Sequence, residues 1–305
     1  MALVWQHATP HQALHVSQHP NLLLLHHIRR RSSSLLVSPQ PASQLGLRMQ
    51  SGSSRFRTRA PIPVSDIPPP TQDRTSEISK KFLETLIHVE KSSGVVVNTF
   101  ELLESRALRA IRDRLCLPGK RILPVFPVGP VILTAENSDK EDENGYRLSW
   151  LSTQPTKRVF LSFGSLGLFS EKQLAEMAMA LENRGHIFLW VKEKGKGVDE
   201  ILPEGCIKRK RNRGLVVKRW APQVAVLSHD SIGGFVTHCG WNSVLEAICA
   251  GVPIVALYAE QRLNRVLLVE EMKLAWPVNE SEDGFVSSAE LEKRVREREG
   301  SEGEG

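Results

Sequence analysis

The stretch that decides the fold is RWAPQVAVLSHDSIGGFVTHCGWNSVLEAICAGVPIVALYAEQ, Arg219–Gln261. Two apolar runs, IGGFVT and VPIVALY, are separated by NSVLEAICAG, and this alternation predicts a strand, a helix and a second parallel strand. The stretch also holds two tryptophans, the turn His-Cys-Gly-Trp-Asn-Ser and a closing Glu-Gln pair. A strand–helix–strand unit needs none of these groups for its own packing, so we expect them to bind a ligand.

The same alternation continues on both sides of this stretch. RVFLSFGS, HIFLWV and GLVVKRW predict strands, while SEKQLAEMAMALENRG, AEQRLNRVLLVEEMKL and SSAELEKRVRERE predict helices. Ser170 with Gln173, and Ser287 with Glu290, have the spacing of capping boxes. Strands that alternate with helices predict a parallel sheet covered on both faces, a doubly wound Rossmann-like α/β domain over residues 131–298.

Residues 61–130 hold a shorter series of predicted elements. SEISKKFLETLIHVEKSSG and ELLESRALRAIRDRL predict helices, GVVVNTF predicts a strand, and prolines keep ILPVFPVGPV extended. The polar stretch TAENSDKEDENGY (134–146) is typical of a solvated linker, and we expect its alternating acids to bind no metal. Residues 299–305 form a short polar tail.

Composition excludes several classes of function. Residues 1–75 hold eight arginines and two aspartates, which accounts for the whole formal net charge of +6. The rest of the chain is neutral, which argues against a nucleic-acid-binding domain. No apolar run reaches the roughly 18 residues of a membrane span. The four cysteines form no CxxC pair, so neither a zinc site nor a disulfide framework is predicted.

Residues 1–60 differ from the rest of the chain. They contain six of the ten histidines, an RRRSSS run and no acidic residue. No helical or strand period is sustained, and we expect this segment to be disordered. The same composition, rich in arginine and serine and poor in acids, is also typical of an organelle transit peptide.

The turn THCGWNS places polar groups where a predicted strand ends and a helix begins. The first N–H groups of a helix lack internal acceptors and the helix dipole is positive there, so a diphosphate binds well at such a place. Gly240 lets the backbone approach closely, and His238, Asn242 and Ser243 add side-chain donors. A simpler interpretation stays open, in which Asn242 or Ser243 merely caps the helix and His238 is a hydrogen-bonded strand-end histidine.

A second turn, SFGSLG (162–167), also follows a predicted strand and precedes a helix. Gly164, Ser165 and Gly167 give it the flexibility and the hydroxyl of a phosphate-binding loop. The sequence has no GxGxxG motif, so a nicotinamide or flavin cofactor is not indicated.

Five further residues suit a nucleoside and a sugar. Trp220 ends a predicted strand, where its ring either stacks on a base or packs in the core. Gln223 offers a donor and an acceptor, and Glu246 can accept hydrogen bonds from two ribose hydroxyls. Glu260 and Gln261 end the next strand, and a neighbouring carboxylate and amide suit a polyol.

Together these residues resemble the signature segment of the plant UDP-sugar-dependent glycosyltransferases. The matching positions are Trp220, Ala221, Pro222, Gln223, His238, Cys239, Gly240, Trp241, Asn242, Ser243, Glu246, Gly251, Pro253, Glu260 and Gln261. Sequence that resembles the family extends over residues 61–298. Within the family, the sequence most resembles the branch that glucosylates hydroxyls of chalcones, flavonoids and related phenolics.

The resemblance implies a GT-B fold with a UDP-sugar site. Residues 131–298 would be a largely complete Rossmann-like donor domain, and 61–130 a remnant of the amino-terminal acceptor domain. The implied contacts are uracil for Trp220 and the Ala221 backbone; ribose for Gln223 and Glu246; diphosphate for Ser165, His238, Asn242 and Ser243; and sugar for Trp241, Glu260 and Gln261.

The implied reaction is an inverting transfer of a sugar from UDP-glucose to a phenolic hydroxyl. Glutamine at position 261 is associated with glucose donors in the family. The UDP-sugar is a co-substrate, and neither a metal nor another cofactor is expected. The resemblance also implies a monomer that binds small molecules in the cytoplasm; organelle import is the alternative if residues 1–60 act as a transit peptide.

The sequence departs from the family pattern in two places. The family's catalytic histidine and its aspartate partner are not found in their expected setting, and we assign no residue to either role. A Trp-Pro pair of the family is absent before Leu257–Tyr258, which shortens the strand's reach by roughly 6–7 Å and puts the sugar contacts of Glu260 and Gln261 in question. The alternative function is therefore a truncated, catalytically inactive UDP-sugar-binding fragment.

Overall fold

Two compact units make up the chain, residues Met1–Val131 and Ile132–Gly305. The structure is a computed structural model. The residues it describes are 14–17, 73, 75–81, 84, 92–113, 123–132, 148–154, 158–164, 169–183, 186–192, 214–218, 221–257, 262–281 and 283–300.

The first unit contains a three-stranded parallel sheet in the order β1-β2-β3. Its strands are β1 (Leu14–Ser17), β2 (Gly94–Val97) and β3 (Val125–Pro127). The sequence predicted β2 and the helix α1 (Ser105–Arg112) that follows it. It did not predict β1, and the disorder expected elsewhere in residues 1–60 lies outside the described residues.

The second unit is built on a six-stranded sheet in which every neighbouring pair is parallel. Its strands are β4 (Arg158–Ser162), β5 (Phe188–Lys192), β6 (Gly214–Lys218), β7 (Ile232–Thr237), β8 (Ile254–Ala256) and β9 (Ala275–Trp276). Their order across the sheet is β6-β5-β4-β7-β8-β9. This is the order of a doubly wound Rossmann sheet, so the predicted fold class is confirmed.

Helices connect and cover these strands. They are α2 (Glu171–Asn183), α3 (Gln223–Leu227), α4 (Trp241–Cys249), α5 (Arg262–Val266) and α6 (Ser288–Gly300). The sequence predicted all five, with α3 as a short helix over PQVAVLSH. It did not predict that α5 continues as a π-helical turn, Leu267–Glu271. No helix of the described residues is both long enough and apolar enough to cross a bilayer.

The two predicted capping boxes form only in part. The Gln173 N–H donates to Ser170 Oγ at 3.2 Å, which is the expected first half of the motif. The Gln173 side chain does not reach back to Ser170; it exchanges two hydrogen bonds with the backbone of Val286. Ser287 caps α6 in the same half-formed way, while the Glu290 carboxylate binds elsewhere. In both motifs, the side chain of the second residue makes other hydrogen bonds instead of the one back to the capping serine.

The core lies on both faces of the sheet, as expected for parallel strands. On one face, Leu161 and Trp190 pack with apolar residues of α2 and α6. On the other, the rings of Phe160 and Phe235 stack at 5.1 Å. All five residues of β4 are buried, so the central strand holds its carboxyl end in a fixed position.

The direction in which strands are added reverses between β4 and β7. Strands β4, β5 and β6 extend the sheet one way, and β7, β8 and β9 extend it the other way. Ser162 and Thr237, the last residues of β4 and β7, are paired. The loops that follow these two strands therefore leave the sheet side by side, at the place where doubly wound sheets bind ligands.

Candidate functional site

His238 follows β7 directly and lies at the strand-order reversal. Its side chain is only 9% exposed. Burial lowers the pKa of the imidazole from its usual 6.5 to about 4 because the charged form loses its hydration. At neutral pH the ring is therefore uncharged, with one donor and one acceptor nitrogen. The described residues give it one long contact, 3.5 Å between Nδ1 and Thr237 Oγ1.

Two glycines adjoin the Cε1–Nε2 edge of the His238 ring. Gly164 follows β4 with φ +65, and a Cβ atom there would lie 2.8 Å from Cε1 and 2.9 Å from Nε2 of the imidazole. A Cβ atom at Gly240 would lie 2.5 Å from Nε2. Any side chain at either position would collide with the ring. The predicted close approach of the Gly240 backbone to a diphosphate stays a prediction. The sequence did not predict that Gly164 and Gly240 both adjoin His238, and the strand order explains why Gly164 does.

The N-terminus of α4 lies beside His238. The helix has nine residues, its N-cap is Gly240, and no side-chain hydrogen bond caps this end in the described part of the chain. The N–H groups of the first turn have no acceptor within the helix, and the dipole is positive there. The simpler interpretation, in which Asn242 or Ser243 caps the helix, is therefore wrong. Asn242 is instead exposed on the first turn of α4.

Gln223, Ser243 and Glu246 form one connected group. Gln223 begins α3, and its Nε2 donates to Ser243 Oγ at 2.9 Å and to Glu246 Oε2 at 2.6 Å. Burial raises the pKa of Glu246, and the hydrogen bond from Gln223 opposes the rise. The Oε1 atoms of Gln223 and Glu246 take no part in this hydrogen bond. Two acceptor oxygens on neighbouring side chains suit the two hydroxyls of a ribose.

Two of the predicted site residues are part of the interior. Ala221 and Trp241 are 5% and 3% exposed. Burial fits the expected use of the Ala221 backbone rather than its side chain. For Trp241, a ligand contact would come from its backbone at the start of α4 or from the small exposed part of its ring, so the predicted sugar contact stays a prediction.

Four predicted site residues lie outside the described residues. Ser165 comes directly after Gly164, and Trp220 directly before Ala221. Glu260 and Gln261 follow Leu257, the last described residue after β8, so the effect of the missing Trp-Pro pair also stays a prediction.

The structure adds one residue that the sequence analysis did not single out. Asn264 on α5 is 1% exposed, and its Nδ2 donates to the Cys239 carbonyl oxygen at 3.0 Å. Cys239 itself has φ +64, in the left-handed region. An amide among the apolar residues of RLNRVLLV was the available signal, because a buried amide has to find a hydrogen-bond partner.

No group of three or more His, Cys, Asp or Glu side chains that could hold a metal ion occurs within the described ranges. The acidic stretch 134–146 lies outside those ranges. The expectation that the site uses no metal therefore stays a prediction.

Comparison with models of protein families shows which family has this architecture. The family model described as UDP-glucoronosyl and UDP-glucosyl transferase matches residues 146–298, the part of the chain that carries the sheet and the site. This match places the Rossmann-like unit in the family of UDP-glucoronosyl and UDP-glucosyl transferases.

Comparison with known proteins points to plant members of this family. The chain is 56% identical over 249 residues to an anthocyanidin 5,3-O-glucosyltransferase from a Rosa hybrid cultivar, covering 78% of this chain and 52% of the relative. It is 48% identical to isoflavone 7-O-glucosyltransferase 1 from Glycine max, covering 77% and 51%. The chain belongs to the family of plant UDP-glycosyltransferases, and it spans about half the length of these two relatives.

Solved structures agree with this assignment. The Phytolacca americana protein UGT2, solved with UDP-2fluoro-glucose and pterostilbene, has a TM-score of 0.74 and 35% identity, covering 93% of this chain and 61% of that one. A UDP-glucosyltransferase from Polygonum tinctorium capable of glucosylating indoxyl, solved with 3,4-dichloroaniline, has a TM-score of 0.77 and 32% identity, covering 94% and 62%. The GT-B relationship predicted from the sequence is confirmed.

Proposed function

We propose that the protein transfers a sugar from a UDP-sugar to a phenolic hydroxyl, with the UDP moiety bound at the carboxyl edge of the second unit's sheet. One observation carries this proposal: the neutral, buried His238 ring adjoins the backbone of Gly164 and of Gly240, which is the N-cap of α4 and bears no side-chain cap. A neutral donor next to a helix N-terminus suits a diphosphate, because it binds the anion without itself having to be charged in a buried place.

The Gln223–Glu246 pair supports the nucleoside part of the proposal. It lies on α3 and on the second turn of α4, the helix whose first turn would hold the diphosphate. In this arrangement the two side chains bind the ribose hydroxyls, and the diphosphate extends from the ribose toward Gly240 and His238. Trp220 and Ala221, just before α3, would then bind the uracil.

The proposed reaction is a direct displacement with inversion at the anomeric carbon. The acceptor oxygen forms a bond to that carbon, the bond to the β-phosphate oxygen breaks, and its electron pair leaves with UDP. The helix dipole of α4 and the neutral donor His238 stabilise the charge that develops on the leaving diphosphate, and the proposal requires no metal. A pKa of about 4 makes His238 a poor base at neutral pH, so another group takes the acceptor proton.

The names of the relatives support a sugar and an acceptor class. Both quoted relatives are glucosyltransferases, of an anthocyanidin and of an isoflavone, and the Phytolacca americana structure holds a glucose donor analogue with pterostilbene. We therefore propose UDP-glucose as donor and a flavonoid or related phenol as acceptor. A monomer located in the cytoplasm remains our expectation.

Calorimetric titration of the full chain with UDP tests the donor half of the proposal. We expect binding that falls by about 30-fold or more in His238→Ala, since a hydrogen bond to a charged group is lost. His229→Ala is the matched control, because it removes a second imidazole of the same domain at the amino end of β7. Its UDP affinity should stay within about twofold of wild type, because changes far from the ligand act independently of it. Absence of UDP binding at millimolar concentration would overturn the proposal.

Turnover is tested with UDP-glucose and a panel of anthocyanidins, isoflavones and simple phenols. Glycoside that forms with inverted anomeric configuration, and that decreases in His238→Ala, supports the transferase. UDP binding without any glycoside from the panel would contradict the transferase and favour the alternative, a UDP-sugar-binding chain without turnover.

A further inference from the structure

Cys239 occupies an unusual backbone position between His238 and Gly240. Its φ of +64 lies in the left-handed region, which costs a non-glycine residue roughly 1 kcal/mol or more. Its side chain is fully buried, with Sγ 3.8 Å from the Thr237 carbonyl oxygen. Such a conformation persists only where surrounding contacts hold it in place.

Asn264 supplies one such contact from a different element. It lies on α5, after β8, and its buried Nδ2 donates to the Cys239 carbonyl oxygen at 3.0 Å. This hydrogen bond fixes the plane of the peptide that joins Cys239 to Gly240. In a trans peptide the C=O and the N–H point in opposite directions. Because the carbonyl of Cys239 points at Asn264 in the interior, the N–H of Gly240 points away from it.

The Gly240 backbone also contacts the His238 ring, because a Cβ atom at Gly240 would lie 2.5 Å from Nε2. The Gly240 N–H and the imidazole are thus neighbours at the start of α4. The Gly240 N–H comes immediately before the first turn of α4, whose N–H groups have no acceptor within the helix and attract an anion. Rotation of the Cys239–Gly240 peptide would turn the Gly240 N–H, so its direction depends on the orientation that the Asn264 hydrogen bond holds.

We propose that Asn264 is a positioning residue for the diphosphate of the UDP-sugar: through the Cys239 carbonyl, it holds the Gly240 N–H and the His238 ring in the geometry that binds the phosphate oxygens. This inference rests on the proposed function. Asn264 itself does not need to contact the ligand for this role. We expect its effect to be confined to the diphosphate, because the hydrogen bond between Gln223 and Glu246, which would hold the ribose, does not involve the Cys239–Gly240 peptide.

The test compares the affinities of the full chain for UDP and for uridine. In Asn264→Leu, which keeps about the same size and removes the donor, we expect the UDP affinity to fall by about tenfold or more while the uridine affinity stays within about twofold. Asn264→Ser provides a second, smaller variant in case the leucine prevents folding. Uridine binding by either variant shows that the domain is folded.

Gln173→Leu is the matched control. Gln173 is also a buried amide bound to backbone, but its side chain joins α2 to Val286 rather than to any of the described site residues. It should lower thermal stability without changing the ratio of UDP to uridine affinity. An unchanged ratio in both Asn264 variants would overturn this inference alone. Failure of wild type to bind UDP would instead overturn the proposed function on which it rests.

Discussion

The two ends of strand β7 each carry a histidine, and the two differ in their hydrogen bonding. At the amino end, His229 contacts Ser152 Oγ through Nε2 at 3.1 Å and Ser231 Oγ through Nδ1 at 2.8 Å. At the carboxyl end, His238 has one contact of 3.5 Å in the described part of the chain, and glycine backbone adjoins its ring. Both ring nitrogens of His229 serve the fold, whereas His238 keeps donor capacity for a ligand.

This difference separates structural from binding residues on physical grounds. Within the described residues, His229 has close partners at both ring nitrogens, whereas His238 has only the long contact to Thr237. This pattern fits a structural role for His229 and supports the proposed ligand contact of His238. The comparison between the two ends of the sheet can be tested further by substituting matched residues at each end.

The largest expected effect distinguishes two glycines that have nearly the same positive φ angle. Gly164 has φ +65 and its added Cβ would collide with the His238 ring, whereas Gly251, with φ +66, has no atom within 4 Å of such a Cβ. Gly164→Ala should lower the free energy of unfolding by about 3 kcal/mol and the UDP affinity by about 30-fold, since strain and collision add. Chemical denaturation and calorimetry measure the two quantities.

Gly251→Ala is the control for backbone strain alone. It should lower the free energy of unfolding by about 1 kcal/mol and leave UDP binding unchanged. Equal losses of UDP affinity in the two variants would show that His238 does not depend on the space that Gly164 provides.

The next effect is a pH dependence of stability that belongs to the carboxyl end. The pKa of His238 is about 4 in the folded chain and 6.5 when unfolded, so between these values only the unfolded chain takes up the proton. Stability from this group is present above 6.5 and is lost as the pH falls toward 4. From about pH 7 to about pH 5, wild type should lose about 2 kcal/mol more than His238→Gln.

Urea denaturation of both proteins across this range makes the measurement. Glu246, whose pKa is raised by burial, contributes with the opposite sign. It is present in both proteins and cancels in the difference. Parallel pH profiles for wild type and His238→Gln would contradict the assignment of a buried neutral imidazole.

The smallest expected effect concerns the ribose. If Glu246 accepts from the ribose hydroxyls, wild type should bind UDP about tenfold more tightly than 2′-deoxy-UDP, and Glu246→Ala should lose this preference. Glu290→Ala is the control, because its carboxylate binds the Asn279 backbone and Arg294 instead. A preference that survives in Glu246→Ala would assign the 2′-hydroxyl to another residue.

Strands β4 to β8, helices α2 to α6 and the polar turn THCGWNS could be predicted from the sequence because their signals are local. Apolar alternation depends on neighbouring residues, and the turn between β7 and α4 lies within a single short segment. The sheet order β6-β5-β4-β7-β8-β9 is not a local property. Alternation alone therefore could not reveal that Gly164 and His238 meet.

Side-chain partners were predicted less well for the same reason. Gln173 has the spacing of a capping box, but it binds Val286, more than a hundred positions along the chain. Asn264 looked like an ordinary helix residue, and its partner Cys239 precedes the whole of α4 and β8. Such long-range bonds depend on how elements pack, which one sequence does not state.

The parallel pairing of β4 with β7 has a consequence for how the protein folds. Arg158 pairs with Ile232, so two strands, β5 and β6, intervene in the chain before the central pair can close. Contacts between residues so far apart in sequence form slowly, because a long loop must first lose its entropy. The proposed nucleotide site uses residues that follow β7 and a glycine that follows β4, so it is complete only once this pair has formed. Nucleotide binding would therefore report that the central pair of the sheet has closed.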